Sequence, residues 1–246
     1  MLYNRLKIPS RFLRNPAEMI LLAPETNAPE KSLVFFHGAG ESGQAILDNS
    51  PLADIAEAQN LRIALPFVGN SFGLNCGEGE QVRAFLTEEL FPYLRDVLFV
   101  PPGAVCVGGI SMGACVALSA GLEQRDFVSG VFSISGAFDL RKAARFGRVC
   151  GLEIPSAVAE TESRPSEWTR HLLERYAGRG APSLYFACGD GDLFRDVNRA
   201  TALRAMELGY SVRWQETPGL HNWDYWREAL PPALQWAAMT GGVYGD

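Results

Sequence analysis

Five short apolar runs punctuate the chain: "SLVFFHG" (32–38), "LRIALPF" (61–67), "AVCVGGIS" (104–111), "VSGVFSISG" (128–136) and "SLYFACG" (183–189). None alternates polar with apolar residues, and each is bounded by turn formers, which predicts strands buried on both faces of a sheet. Between them, apolar residues recur at helical spacing in "PLADIAEAQN" (51–60), "RAFLTEELFPYLRDVL" (83–98), "GACVALSAGLEQ" (113–124), "SEWTRHLLERYAG" (166–178) and "VNRATALRAMELG" (197–209). Buried strands alternating with such helices predict a doubly wound, mostly parallel α/β sheet with helices on both faces. The segment 141–164, "RKAARFGRVCGLEIPSAVAETESR", breaks the rhythm. It is long for a connection, and long connections over such sheets serve as lids or pocket walls. Its basic start, Arg141, Lys142, Arg145 and Arg148, reads as a solvated face. With no repeat, low-complexity tract or linker, residues 1–246 are expected to form a single domain.

Composition narrows the partners. The formal net charge of -6 leaves no positive field for phosphate backbones, which argues against nucleic acid. No apolar run is long enough to cross a bilayer and the first residues lack a signal-peptide core, so a cytoplasmic protein without a membrane partner is expected; a homo-oligomer is compatible with this. Five cysteines, an odd number without a CxxC pair, argue against a disulfide framework and against a zinc site. Cys106, Cys115 and Cys188 sit in apolar runs and read as buried fillers. Cys76, in "GLNCGEG", is the thiol to watch for reactivity.

Gly109-Ile110-Ser111-Met112-Gly113 has the form G-x-S-x-G, a weak signal by itself in a chain with 25 glycines. Its setting strengthens it. It follows a predicted strand and opens a predicted helix, the strand-turn-helix context of a nucleophile elbow. A serine needs a base, and the chain has three histidines. His171 lies on an amphipathic helix, and His37 directly follows a strand in "HGAG". His221, late in the chain in "ETPGLHNWDYW", has both a loop setting and room for an acid between it and Ser111, the order Ser…Asp…His. "SLYFACGDGDLFRD" offers Asp190, Asp192 and Asp196 after a strand. Asp192 is preferred over Asp190, which the turn itself could require, and over Asp196, which reads as the first turn of a helix. An oxyanion site needs fixed N–H donors: Met112, after the serine, and Gly38 or Ala39 in the glycine loop.

Taken in order, "HGAG", "GISMGA", "CGDGDLF" and "GLHNWDYW" resemble the "Putative esterase" family of α/β hydrolases, with tributyrin and acetyl esterases nearest and S-formylglutathione hydrolases and feruloyl esterases related. The resemblance runs from about residue 31 to 238 and implies the α/β-hydrolase fold. It aligns "CGDGD" with C-G-x-x-D, which selects Asp192, and "HGAG" with His-Gly-Leu, which makes Ala39 N–H the first oxyanion donor. The implied activity is serine carboxylesterase on a small-molecule ester, short-chain acyl or carbohydrate-linked, with no cofactor. Acyl transfer or thioester hydrolysis could use the same triad, and a non-catalytic binding protein is the alternative of a different class. Where the family often has Leu after His-Gly and Trp or Tyr in the next loop, this chain has Ala39, and Phe72, Asn75 and Cys76 in "NSFGLNCGEG". These, with Gly38, are the expected substrate-binding wall. Trp223 is expected to pack beneath the histidine loop or shape the pocket.

Overall fold

The computed structural model describes residues 1–25, 31–98 and 105–240. Its strands are β1 (Leu2–Ile8), β2 (Ala17–Ala23), β3 (Lys31–Phe36), β4 (Leu61–Pro66), β5 (Val105–Ile110), β6 (Val128–Ile134), β7 (Ser183–Gly189) and β8 (Val212–Thr217). The helices are α1 (Gly43–Asn49), α2 (Leu52–Ala58), α3 (Val82–Phe85), which runs through a wider π turn at Leu86–Leu90 into α4 (Phe91–Leu98), α5 (Met112–Glu123), α6 (Leu140–Val149), α7 (Ser156–Glu160), α8 (Glu167–Tyr176), α9 (Arg195–Glu207) and α10 (Trp223–Met239).

The strands make one eight-stranded sheet in the order β1-β2-β4-β3-β5-β6-β7-β8. From β4 through β8 all pairings are parallel, while β2 pairs antiparallel with both β1 and β4. The five apolar runs are β3 to β7, five of the six strands with a neighbour on each side, and their side chains are buried almost without exception. Together these features make the α/β-hydrolase fold. The antiparallel β1–β2 pair was not predicted; "LYNRLKI" is largely solvent-exposed and carries no continuous apolar run, while "AEMILLA" of β2 is mostly buried. Nor was α10, which holds Pro231 and Pro232 in its interior. Proline costs a helix one hydrogen bond and a clash. Here Trp226, Leu230 and Leu234 are buried against the sheet and hold the helix in place.

Two apolar clusters flank the sheet. One packs Phe85, Leu90, Val116, Leu173 and Ala202 from α3, the π turn, α5, α8 and α9 over one face. The other packs Ile46, Leu52 and Trp226 from α1, α2 and α10 over the opposite face. This leaves the carboxyl ends of the parallel strands as the place where loops converge, where open α/β sheets bind ligands. Ser111 follows β5, His37 follows β3, Asp192 lies just beyond β7 and His221 just beyond β8.

Candidate active site

Between β5 and α5 the backbone reverses at Ser111, whose φ of 56° and ψ of -115° lie in a region that L residues avoid. Such a conformation costs about 1–3 kcal/mol and persists only where its surroundings impose it. Ser111 N–H donates to Ile134 O at 2.9 Å, and Ser111 O accepts from Ala137 N–H at 3.1 Å. The flanking glycines are sterically required. A Cβ on Gly109 would run into the Gly113 carbonyl, and one on Gly113 into the Phe36 carbonyl. Strand and helix therefore approach to a distance that only glycine permits, and the hydroxyl is left standing at the turn.

Ser111 Oγ lies 2.9 Å from His221 Nε2. On its other side, His221 Nδ1 lies 2.9 and 3.1 Å from the two Asp192 carboxylate oxygens. A carboxylate only accepts, so Nδ1 carries the hydrogen, and the Nε2 lone pair faces the hydroxyl. The pair is deeply set, with side-chain exposures of 7% for His221 and 0% for Asp192. Burial presses the Asp192 carboxyl toward its neutral form. The hydrogen bond and charge of His221 and the Phe194 N–H, at 2.7 Å, outweigh that and hold its pKa below the ordinary carboxylate value. Phe194, Phe146 and Trp226 present ring edges to the imidazole at centroid distances of 5.1, 6.1 and 5.1 Å.

The other two aspartates separate cleanly. Asp190 accepts from Gly219 N–H at 3.1 Å and so ties its turn to the histidine loop. Asp196 sits in the first turn of α9 with a 98% exposed side chain. His171 is exposed beside Arg170.

His37 is buried yet points elsewhere. Its Nδ1 lies 2.8 Å from Gly38 O, and its Nε2 lies 3.2 Å from Val68 N, which can only donate. The tautomer follows: Nδ1–H donates to the carbonyl and Nε2 accepts from the amide. Burial lowers its pKa to about 4, so the ring is neutral. The Gly38 carbonyl also accepts from Glu41 N–H at 3.2 Å, which fixes the peptide that carries Ala39 N–H. Met112 is the first residue of α5, where an N–H has no partner within the helix. Gly38 faces the serine; a Cβ placed on it would lie 3.9 Å from Ser111 Cβ.

Of the expected wall residues, Phe72 is 2% exposed and belongs to the core. Asn75 accepts from Ala84 N–H at 3.2 Å and holds the start of α3. Cys76, the thiol to watch, packs against the core, and burial raises its pKa to about 11, away from a reactive thiolate. Trp223 donates from Nε1 to Glu41 Oε1 at 2.7 Å and meets Trp226 edge-on, so it joins the loop after β3 to the histidine loop. Residues not singled out from the sequence take part here: Phe146 beside His221, and Glu41, Asn70 and Leu152 against the glycine loop. None has a spacing or residue type that marks it; each is found by the fold.

The model of the family described as "Putative esterase" matches residues 35–237. The chain belongs to this family. It is a carboxylic ester hydrolase of the α/β-hydrolase fold. The esterase is 26% identical over 227 residues to an acetyl esterase of Caldicellulosiruptor saccharolyticus, covering 85% of this chain and 84% of that protein. A fluorophosphonate-binding serine hydrolase of Staphylococcus aureus superposes with a TM-score of 0.78 at 18% identity, covering 96% of this chain and 98% of that one. A ferulic acid esterase superposes with a TM-score of 0.77 at 18% identity, covering 97% of each chain. At these identities the structural likeness speaks for the fold.

Proposed function

We propose that this esterase is a serine carboxylesterase for short-chain acyl esters, carbohydrate-linked ones included, with Ser111 as nucleophile, His221 as general base and Asp192 as the acid that orients it. The single observation that carries the reading is the unbroken hydrogen-bonded series from Ser111 Oγ through His221 to Asp192. Ser111 Oγ attacks the ester carbonyl while His221 Nε2 takes its proton. The imidazolium, steadied by Asp192, returns that proton to the departing alkoxide, leaving an acyl-serine. Water, deprotonated by the same Nε2, then releases the acid and regenerates the hydroxyl. The N–H groups of Ala39 and Met112 bind the oxyanion in both halves, each worth about 3 kcal/mol.

Phe146 and the 59% exposed Leu220 lend an apolar edge beside His221, in keeping with an acyl group. The kinship with an acetyl esterase supports a short one. The reading includes a single domain over 1–246, which predicts one cooperative unfolding transition and fails on two separate ones. It also includes a cytoplasmic location, since all five cysteines are unpaired; recovery of the protein outside the cytoplasmic fraction would overturn that part.

The test is Ser111→Ala with p-nitrophenyl acetate. Hydrolysis should fall by about 10³-fold or more, and a fluorophosphonate should label wild type but not the variant. Activity within tenfold of wild type rules the mechanism out.

A further inference from the structure

The 141–164 segment forms α6 and α7 and the turns that follow, and its fixings are specific. Glu162, 1% exposed, accepts from Leu140 N–H at 2.8 Å and from Trp168 N–H at 3.3 Å, which closes the base of the segment onto α8. Lys142 Nζ donates to Leu193 O, beside the acid loop. At its far end the segment meets the glycine loop after β3. Gly40, at φ 76°, lies under Leu152, whose Cδ2 would be 2.7 Å from a Cβ placed there.

Between these two pieces stands Asn70, in the loop after β4. Its Oδ1 accepts from Gly40 N–H at 2.8 Å, and its Nδ2 donates to Glu153 O at 3.0 Å. Only this orientation of the amide satisfies both partners. The loop that carries Asn70 is itself fixed: Val68 N–H is held by His37, Ser71 Oγ donates to Val68 O at 2.8 Å, and Gly73 N–H donates to Ser71 Oγ at 3.2 Å.

We propose that Asn70 is a positioning residue that fastens the oxyanion loop to the 141–164 segment, making that segment a fixed wall of the substrate site rather than a lid. The inference rests on the esterase reading above. Gly40 N–H is one peptide removed from Ala39 N–H, so a hydrogen bond at Gly40 sets the plane of the neighbouring peptide and thereby aims the donor. The same amide positions Leu152 and, through the segment, Phe146 over His221. The wall and the oxyanion loop are thus tied together through one side chain, which adds to the hold that His37 and Glu41 N–H have on Gly38 O. Asn70 touches no reacting atom in this scheme.

The experiment pairs kinetics with amide hydrogen exchange on the full-length protein. Asn70→Ala is expected to lower kcat for p-nitrophenyl acetate by about 10–100-fold with KM within about threefold, as misplacement of a transition-state donor requires. Exchange should quicken together in residues 38–41 and 150–156, and stay unchanged in β5 and α5. Asn70→Asp keeps an acceptor for Gly40 N–H but cannot donate to Glu153 O, so only 150–156 should loosen. The proposal is overturned if Asn70→Ala loosens one segment without the other, or if both loosen while kcat stays within about twofold. The exchange arm needs no turnover. Were the wild type inactive on every ester, the esterase reading would fall, and exchange alone would still decide whether Asn70 fastens the two segments.

Discussion

Two histidines stand near the serine, 184 positions apart, and they do opposite things. His37 has both ring nitrogens occupied by backbone groups, is fully buried, and is held neutral with a pKa of about 4. His221 has one nitrogen on a carboxylate and the other on a hydroxyl. The first has nothing left to give or take; its protonation would break the bond from Val68 N–H. The second has a lone pair aimed at a proton it can accept, and a counter-charge ready for the imidazolium. The chemistry of an imidazole is set by what occupies its second nitrogen.

That contrast can be broken most severely at His221. His221→Ala should lower kcat/KM for p-nitrophenyl acetate by about 10⁴-fold or more, since base and nucleophile act as a unit. A large loss of stability with only a small loss of rate would reverse the roles assigned to the two rings. Asp192→Asn comes next, at roughly 10³–10⁴-fold in kcat, because an amide can also donate and so admits the wrong tautomer. If the variant kept more than a tenth of the activity, Asp192 would not be the orienting acid.

The smallest effect on rate, and the largest on stability, belongs to His37→Phe. The ring would still stack on Phe67, now at 5.2 Å, but Gly38 O would lose one of its donors and Val68 N–H its acceptor. A cost of about 2–4 kcal/mol in unfolding free energy is expected, with kcat down by about tenfold as the Gly38–Ala39 peptide loosens. Acid sharpens the same point. The unfolded chain takes up a proton near 6.5, the folded imidazole only near about 4. Between those values the unfolded state binds more protons, so the stability that His37 contributes is present above pH 6.5 and is lost as pH falls toward 4. The total is about 3 kcal/mol. Denaturant melts of wild type against His37→Phe across that range should converge at low pH; parallel curves would show that His37 is not buried and neutral.

How legible each part was depended on the range of the interaction that makes it. Strands β3 to β7 announce themselves because burial on both faces demands a continuous apolar run, which is local information. The elbow is legible because its glycines lie two residues to either side of the strained Ser111, although Gly109 is required by the close approach of β5 and α5 and Gly113 by that of α5 to Phe36 at the end of β3. β1, exposed along an antiparallel edge, is under no such demand. Phe72 shows where the family resemblance misleads, since this loop aromatic turned inward to fill the core instead of lining a wall.

Sequence alone thus determined the fold class and pointed to the order of the proposed serine, acid and base, because strand burial, turn sterics and chain order are properties of short segments. Only the tertiary structure decided that Asp190 turns to Gly219 N–H, that Trp223 pairs with Glu41 across 182 positions, and that Asn70 bridges Gly40 to Glu153. Those contacts join single side chains from elements that are neighbours only after the sheet has formed. They have no period along the chain, and so they leave no pattern in it.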